Sequence, residues 1–298
     1  MPQLRFGILG LSPGNGHPYS WSAIFNGYDA KAMATCPFPT IPAYLAQRRF
    51  PEDAIAGATV THVWTQDRAI SEHIAAAALI PSVVNDPREL LGVVDAVLLA
   101  RDDAKSHLAL AAPFLEAGIP VYIDKPLALA RTDAEAMYRC QHRPGLLFTC
   151  SALAYAREFQ LSPHERAALG PLRYVDAVTA KDWDRYAMHV LEPLIALLDA
   201  EGPVVRTQPT GARARGLDLT WASGVEGRVT ALGTAAGPIA IRLYGETAAR
   251  EMVFADSFSA FRAALVHFTD IVSGRQPPQD PGPVLNLVGL IEAGRIAS

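Results

Sequence analysis

Apolar runs alternate with longer amphipathic segments through the first 126 residues of the chain. Short apolar runs that end at glycine, proline or polar residues are typical of buried strands, and the longer segments between them favour helices. The predicted strands are Leu4–Leu9, Val60–Trp64, Val93–Ala100 and Pro120–Ile123. The predicted helices are Pro18–Asn26, Ser71–Leu79 and His107–Ala117, with a short one opened by Asp86 and Pro87. Strands that alternate with helices in this way predict a parallel, doubly wound α/β sheet.

The pattern changes after residue 126, where strand-like runs follow one another with few helices between them. Helix Thr132–Gln141 and strand Leu146–Cys150 come first, and later strands are predicted at Leu172–Thr179, Asp218–Ala222, Gly227–Leu232, Ile239–Leu243 and Met252–Phe254. Further helices are predicted at Val190–Leu198, Ser259–Ser273 and Val284–Ile296. This order favours a largely antiparallel sheet with helices on one face. We therefore predict two domains, the first over residues 1–126 and an α+β domain over residues 127–298.

The segment 30–57 makes the first crossover far longer than a single helix requires. Three prolines in the stretch CPFPTIP argue against a regular element there, and a short helix is predicted after it, at Ala43–Arg48. We interpret the segment as a surface excursion, although loops of this length are also common at functional sites.

Composition and charge narrow the class of protein without naming an activity. The chain has 298 residues, 50% hydrophobic and 19% charged, which is enough apolar material for two cores. A net charge of −4 gives no electrostatic footprint for nucleic acid, and no apolar run reaches the ~18 residues of a membrane span. The 3 cysteines show no CxxC spacing, so we expect no disulfide framework, no metal site and a cytoplasmic protein.

A glycine-rich loop joins the first predicted strand to the first predicted helix, with the sequence GLSPGNG followed by His17. Backbone N–H groups at a helix N-terminus can bind a pyrophosphate, and glycines let the phosphates approach. Ser12 stands at the middle glycine of GxGxxG and the last glycine is displaced, so the loop by itself also fits an ordinary tight turn. In its strand–loop–helix context we predict dinucleotide binding by Gly10, Ser12, Gly14, Asn15, Gly16 and His17.

The second predicted strand runs into Thr65-Gln66-Asp67-Arg68, a position where dinucleotide-binding folds carry an acid for the adenosine ribose. Thr65 occupies the place of that acid, and Asp67 follows two residues later. Arg68 could instead bind the 2′-phosphate of NADP, and a solvated loop fits equally well. The sequence therefore leaves the choice between NAD and NADP open.

Two further segments carry side chains suited to proton transfer. Asp124-Lys125-Pro126 follows a predicted strand, at the sheet edge where α/β proteins bind ligands. Lys125 there can hold a reacting oxygen or take part in proton transfer. Tyr186 and His189 lie three residues apart in a stretch that runs into an apolar helix, so they share one face if this stretch is helical. Taken alone, DKP is a turn and the histidine a structural residue; together they indicate a dehydrogenase.

The chain resembles the Gfo/Idh/MocA oxidoreductases, named for glucose–fructose oxidoreductase and inositol dehydrogenase, over nearly its whole length. The resemblance depends on FGILGL with its glycine loop, DAVLLA, His107 ahead of a helix, EAGIPVYIDKPLAL, LGPLRYVDAV, DWDRYAMHVLEPL and the closing FTDIVSGRQPP…LIEAGRIAS. It implies an N-terminal Rossmann domain and a C-terminal domain whose open sheet often forms dimer contacts. A nicotinamide faces a cleft between the domains in this family, and the substrates are commonly sugars, sugar derivatives, cyclitols or other small polyols.

The resemblance also assigns roles to single residues. Lys125 matches the lysine of the family's EKP motif, which touches the reacting hydroxyl and the nicotinamide ribose. His189 matches the histidine of the DxxxH motif, the usual acid–base residue. The resemblance and the motifs together give a predicted cofactor set that adds Thr65, Asp67, Arg68, Ala100, Arg101, His107, Asp124 and Lys125 to the glycine loop. The predicted catalytic set is Lys125, His189, Tyr186 and Asp184.

Three positions depart from the family pattern. Asp124 replaces the glutamate of EKP, and Arg101-Asp102 replaces the TP that follows the fourth strand. Arg185 stands where the DxxxH aspartate is expected, although Asp184 is adjacent. These departures leave the substrate and the partner of the acid–base residue open.

We predict hydride transfer between NAD or NADP and a carbinol or ketone carbon of a small sugar-like or polyol substrate. A redox-assisted NAD-dependent lyase or hydrolase is one alternative, and a non-catalytic dinucleotide-binding sensor is another. The expected partners are the substrate and further copies of the chain, in a homodimer or homotetramer, with no nucleic acid and no membrane.

Overall fold

The computed structural model of the protein describes residues 3–211 and 214–295. Its strands are β1 Leu4–Leu9, β2 Ala58–Trp64, β3 Ser82–Val83, β4 Ala96–Leu99, β5 Val121–Ile123, β6 Leu147–Phe148, β7 Leu172–Thr179, β8 Val204–Thr210, β9 Arg215–Trp221, β10 Glu226–Ala231, β11 Ala240–Gly245 and β12 Ala249–Val253. Its α-helices are α1 His17–Asn26, α2 Ala30–Met33, α3 Thr40–Leu45, α4 Arg68–Ala77, α5 His107–Glu116, α6 Arg131–Arg139, α7 Pro163–Leu169, α8 Trp183–Tyr186, α9 Met188–Leu197, α10 Ser257–Val272 and α11 Pro281–Arg295. Residue 296, the predicted end of the last helix, lies outside the described residues.

The chain folds into two compact units. Unit 1 comprises residues 1–128, 132–149 and 261–281, and unit 2 comprises residues 129–131, 150–260 and 282–298. The predicted boundary after residue 126 differs from this division, because α6, β6 and most of α10 lie downstream of it in sequence and yet pack mainly within unit 1.

Unit 1 contains a six-stranded sheet in the order β3-β2-β1-β4-β5-β6, with every neighbouring pair parallel. The predicted parallel, doubly wound sheet is therefore confirmed. Strand β6 pairs with β5, with Val121 opposite Leu147, and α6 forms the crossover between the two strands. A tight turn reverses the chain direction and therefore joins antiparallel strands. Parallel neighbours need a longer crossover connection, which is usually a helix. The strand predicted near the start of the second domain is therefore the last strand of the first sheet, and the helix predicted before it forms the crossover.

The segment 30–57 runs along the surface of unit 1, as expected, and a few buried side chains anchor it there. Met33 and Leu45 are fully buried, and the Tyr44 hydroxyl donates a hydrogen bond to Ser20 on α1. Helix α3 begins inside CPFPTIP, three residues before the predicted helix, so the expectation of no regular element there is wrong for its last part. Pro42 is tolerated because the first-turn N–H groups of a helix have no partner within the helix.

Unit 2 contains a second six-stranded sheet in the order β12-β11-β7-β10-β9-β8. All its neighbouring pairs are antiparallel except β10 with β7, which confirms the predicted largely antiparallel sheet. Strand β8 was not predicted, because it lies at the sheet edge and its side chains are mostly exposed, without apolar alternation. Helix α9, predicted from the apolar run after residue 188, brings His189 to its first turn.

Candidate active site

The glycine loop after β1 combines an open glycine position with a backbone amide that has no partner among the described residues. Gly14 has a φ of +83° and faces open space, with no atom within 4 Å of where a Cβ would lie. Gly10 is needed for a close approach, since a Cβ there would lie 2.4 Å from Pro18. The backbone amide of Gly16, just before α1, makes no hydrogen bond to any residue that the structure describes. A helix N-terminus with such an amide fits a pyrophosphate.

Two buried carboxylates hold this loop in place. The Ser12 hydroxyl donates to Asp102 at 2.6 Å, and the Asp102 amide donates back to the Ser12 oxygen at 3.1 Å. Asn15 donates to Asp124 at 2.8 Å, and the Nδ1 atom of His17 lies 2.6 Å from the same carboxylate oxygen. The segments that follow β4 and β5 are thereby tied to the segment that follows β1.

The carboxyl group of Asp124 remains ionised although it is almost completely buried. Burial by itself raises the pKa of a carboxyl group, but the charges of His17 and Lys125 and the hydrogen bonds from His17 and Asn15 outweigh it. The result is a pKa lowered to about 2 for Asp124. The shortening from glutamate to aspartate therefore coincides with a direct bond to the glycine loop.

Lys125 lies in the same cluster, with only 3% of its surface exposed. Its Nζ atom is 3.9 Å from the Oδ2 atom of Asp102, the aspartate that binds Ser12. Buried lysines are rare unless they are paired. Lys125 thus lies at the carboxyl end of β5, the edge of the sheet where α/β proteins bind ligands.

The segment after β2 lines a cavity of about 310 Å³, together with Val84 and Asn85. The Thr65 hydroxyl donates to the carbonyl of Asp67, and the Asp67 carboxylate accepts from the amides of residues 69 and 70 as the N-cap of α4. Arg68 donates to Asn85 at 2.7 Å and pairs with Glu72. Thr65 and Asp67 thus stabilise the turn, and the exposed Arg68 brings a cation to the cavity.

Gln66, which sequence reasoning passed over, connects three of these segments. Its amide group accepts from the backbone N–H of Leu11 at 3.1 Å and donates to the carbonyl of the same residue at 2.7 Å. Arg101 donates to the Gln66 oxygen at 3.0 Å and makes a two-pronged pair with Asp103. No motif distinguishes a glutamine at this position, so only the structure could identify it.

The remaining predicted cofactor residues of unit 1 have backbone partners. Ala100 is buried directly after β4, where its amide donates to Leu9 at 2.8 Å. Both ring nitrogens of His107 lie 2.9 Å from backbone carbonyl oxygens, those of Leu127 and Arg101. His107 therefore holds the segments after β4 and β5 together.

In unit 2, Tyr186 is the last residue of α8 and His189 lies in the first turn of α9, and their side chains are in contact. Their rings meet edge to face with centroids 5.2 Å apart, and 9% of His189 is exposed. Lys181 donates a hydrogen bond to the Tyr186 hydroxyl and lies over its ring. This arrangement provides an imidazole next to a phenol whose oxygen accepts from a cation.

Arg185, at the family's aspartate position, and the adjacent Asp184 both form ion pairs with other residues of unit 2. Asp184 pairs with Arg295 at 3.0 Å, and Arg185 pairs at 2.9 Å with Asp182, the N-cap of α8. The imidazole of His189 instead has a serine beside it, since its Nδ1 atom lies 2.9 Å from the Ser151 hydroxyl. Sequence reasoning missed this serine because no motif marks it.

Two classes of site receive no support from the described residues. Among them, no helix combines the length and hydropathy needed to cross a bilayer. The described His, Cys, Asp and Glu side chains form no group of three or more that could hold a metal ion.

A six-stranded parallel sheet in this strand order, with a glycine-rich loop after its first strand, is typical of NAD(P)-binding oxidoreductases. Residues 41–151 match the family model GFO_IDH_MocA, an oxidoreductase family with an NAD-binding Rossmann fold. The predicted resemblance to the Gfo/Idh/MocA family is confirmed over this segment. The comparison with curated protein sequences gives no match.

Solved structures with the same fold span nearly the whole chain. GenD2 from gentamicin A biosynthesis, in complex with NAD, is 16% identical with a TM-score of 0.73, over 98% of this chain and 93% of that one. UDP-N-acetylglucosamine 3-dehydrogenase GnnA from Acidithiobacillus ferrooxidans is 15% identical with a TM-score of 0.72, over 100% and 98%. Biliverdin reductase from Synechocystis sp. PCC 6803, with biliverdin and NADP+, is 14% identical with a TM-score of 0.71, over 98% of each. At these identities the likeness establishes the fold.

Proposed function

We propose that the protein is an NAD(P)-dependent dehydrogenase or reductase of a small sugar-like or polyol substrate. The observation that carries the proposal is Lys125, an almost completely buried lysine beside Asp102 at the carboxyl end of β5. Because the same cluster binds the glycine loop through Ser12, it places the lysine among the segments that would hold the dinucleotide. The neighbour GnnA, by its name a UDP-N-acetylglucosamine 3-dehydrogenase, supports a sugar-like substrate.

The residues of unit 1 fit the cofactor. The amide of Gly16 and the open space at Gly14 would receive the pyrophosphate, and the cavity beside Thr65 and Arg68 would receive the adenosine end. Bound NAD(P) supplies the acceptor or donor of the hydride. With Asp67 engaged as a helix cap and Arg68 at the cavity, we keep both NAD and NADP as candidates.

The chain supplies orientation and proton transfer. Lys125 holds the substrate oxygen and stabilises the negative charge that grows on it, as positioned cations do in sites that exclude water. In the oxidative direction His189 takes the hydroxyl proton of the substrate, and in the reductive direction it returns a proton to the carbonyl oxygen. Tyr186, whose ring contacts His189, assists it. Asp184 forms an ion pair with Arg295 and so helps to hold the segment that carries Tyr186.

The test is turnover of a panel of sugars, polyols and nucleotide sugars, followed at the NAD(P)H absorbance band. Lys125→Met is expected to lower kcat by at least ~100-fold and to leave cofactor binding within about twofold, because the lysine acts on the substrate oxygen. Lys31→Met, which removes an exposed lysine of α2, is the control and should retain full activity. Full activity of Lys125→Met would remove the lysine from the mechanism.

Two alternatives give different results in the same assay. A redox-assisted lyase or hydrolase would consume substrate without net reduction of added NAD. A sensor would bind the nucleotide and turn over no member of the panel. Thermal shift with NAD and with NADP identifies the preferred cofactor, since the ligand that binds more tightly stabilises the folded protein more at equal concentration.

We also propose a homodimer or homotetramer. The sheet of unit 2 carries two half-exposed tyrosines on neighbouring strands, Tyr174 and Tyr244, with ring centroids 6.1 Å apart. Aromatic side chains are enriched in protein interfaces. Light scattering measures the assembly directly, and a monomer at working concentration would contradict the proposal.

A further inference from the structure

The environment of His189 is built by two residues that no motif marks. Its Nδ1 atom lies 2.9 Å from the hydroxyl oxygen of Ser151, which is completely buried. That same oxygen accepts a hydrogen bond from the amide of Leu153 at 3.3 Å, so the serine caps the short 3₁₀ turn that follows it. The hydroxyl is therefore held by its own backbone as well as by the imidazole.

The serine is anchored a second time, by Glu192. The backbone amide of Ser151 donates to the Oε2 atom of Glu192 at 2.5 Å. Glu192 lies three residues after His189 on α9, so the two side chains project from the same face of the helix. One helix therefore supplies both the imidazole and the carboxyl group that hold Ser151.

We propose that Ser151, anchored by Glu192, is the positioning residue for His189, in place of the aspartate that Arg185 replaces. The inference rests on the proton-transfer role proposed for His189. A hydroxyl group can donate to Nδ1 of the neutral ring and accept from Nδ1–H of the protonated ring. Ser151 can therefore keep the ring in one orientation before and after a proton is exchanged at Nε2.

A serine partner differs chemically from a carboxylate partner. A carboxylate only accepts hydrogen bonds and adds a negative charge that stabilises the imidazolium form. The serine orients the ring without that charge. The nearby carboxyl group of Glu192 is bound to the serine amide, so it acts on His189 through the serine.

Other titratable groups surround this arrangement. The Tyr186 ring faces His189 from α8, with Lys181 bonded to its hydroxyl. Behind Ser151, burial raises the pKa of Tyr155 above its ordinary value, and the charges of Cys150 and Glu192 raise it further. Burial raises the pKa of Glu192 to about 8, against the hydrogen bond from Ser151, which lowers it. Glu192 is therefore expected to ionise near pH 8.

The first test needs no turnover. Nitrogen-15 NMR of the full-length protein reports which ring nitrogen of each histidine carries the proton, and His189→Gln identifies the His189 signals. Ser151→Ala is expected to shift the Nδ1 signal of His189 and to mix its tautomers. The control is Ser22→Ala, which removes a buried hydroxyl with no hydrogen-bond partner among the described residues, and it should leave the signals in place. Unchanged His189 signals in Ser151→Ala would overturn the proposal.

The second test is kinetic. Ser151→Ala should lower kcat about tenfold, with KM and cofactor binding unchanged, because general acid–base catalysis contributes roughly 10²–10⁴-fold in total and the ring remains present. Ser151→Thr retains a hydroxyl and should restore most of the rate. Glu192→Gln retains an acceptor for the Ser151 amide and should remove an inflection near pH 8 from the kcat profile.

The two tests separate the inference from the function beneath it. An NMR change without activity toward any substrate would leave the positioning role standing and count against the dehydrogenase. An active enzyme in which Ser151→Ala changes neither the NMR signals nor kcat would leave the dehydrogenase standing and overturn the positioning role. If Ser151→Ala does not fold, a kcat profile of Glu192→Gln identical to that of the wild type overturns the inference.

Discussion

The carboxyl group of Glu192 should make the stability of the protein fall as the pH rises through the neutral range. The residue keeps some exposed surface, but its carboxyl group is enclosed by protein, and burial raises its pKa from 4.5 to about 8. Between these values the unfolded chain has released this proton and the folded chain still binds it. Folding therefore becomes less favourable with each pH unit in that window, and the contribution is fully present only below about 4.5.

The magnitude follows from the size of the window. At about 1.36 kcal/mol per pH unit, the loss between 4.5 and about 8 is at most about 5 kcal/mol. Because the residue is partly exposed, solvent reduces this figure. We expect a loss of about 2 kcal/mol between pH ~5.5 and pH ~7.5 in the wild type that Glu192→Gln does not show.

The assay is urea-induced unfolding at several pH values across that range, followed by circular dichroism. Glu192→Gln keeps the shape of the side chain and an acceptor for the Ser151 amide, so its stability should depend less steeply on pH. Glu52→Gln removes an exposed carboxyl group of unit 1 and is the matched control. Parallel stability profiles for the wild type and Glu192→Gln would show that the carboxyl group is ionised in the folded protein, and would refute the reasoning.

Two further predictions concern the glycine loop. Asp124→Asn should destabilise the protein by about 3 kcal/mol at pH 7, because it removes a buried carboxylate that holds Asn15 and His17 by hydrogen bonds. The sign of its pH dependence is opposite to that of Glu192. Because the pKa of Asp124 is lowered from 3.8 to about 2, its carboxylate stabilises the protein above pH 3.8, and this contribution is lost as the pH falls toward about 2. An unchanged urea midpoint of Asp124→Asn at pH 7 would show that these contacts of Asp124 do not stabilise the protein. Gly16→Ala should cost about 1–3 kcal/mol, because a Cβ there would lie 2.5 Å from Ile41 and 2.7 Å from Phe38. The melting temperature measures it, and an unaltered value would mean that the segment 30–57 moves aside.

Much of the fold could be predicted because its signals are local. Strand β1 and strand β7 were predicted with their observed bounds, since buried strands are written as short apolar runs. The contact between Tyr186 and His189 agrees with their three-residue spacing, although the two residues lie on successive helices. Lys125 could be singled out because a strand end in an α/β sheet is where ligands bind.

Other features depend on contacts between residues far apart in the chain. Ser151 lies 38 residues from His189 and 41 from Glu192, so no window of the sequence brings them together. The edge strand β8 has no buried face to mark it. The prolines of segment 30–57 obscured a helix whose stability comes from packing on α1.

By itself, the sequence determined most of the strands and helices, the glycine loop, and a lysine and a histidine of the residue types that proton transfer uses. These features depend on residue type and on short spacings along the chain, because the periodicity of helices and strands decides which nearby residues lie on the same face. Only the tertiary structure decided that Asp124 binds the glycine loop and that a serine, in place of an aspartate, lies beside His189. A hydrogen bond needs two atoms within about 3 Å of each other, and only the packing of the whole chain brings such partners together.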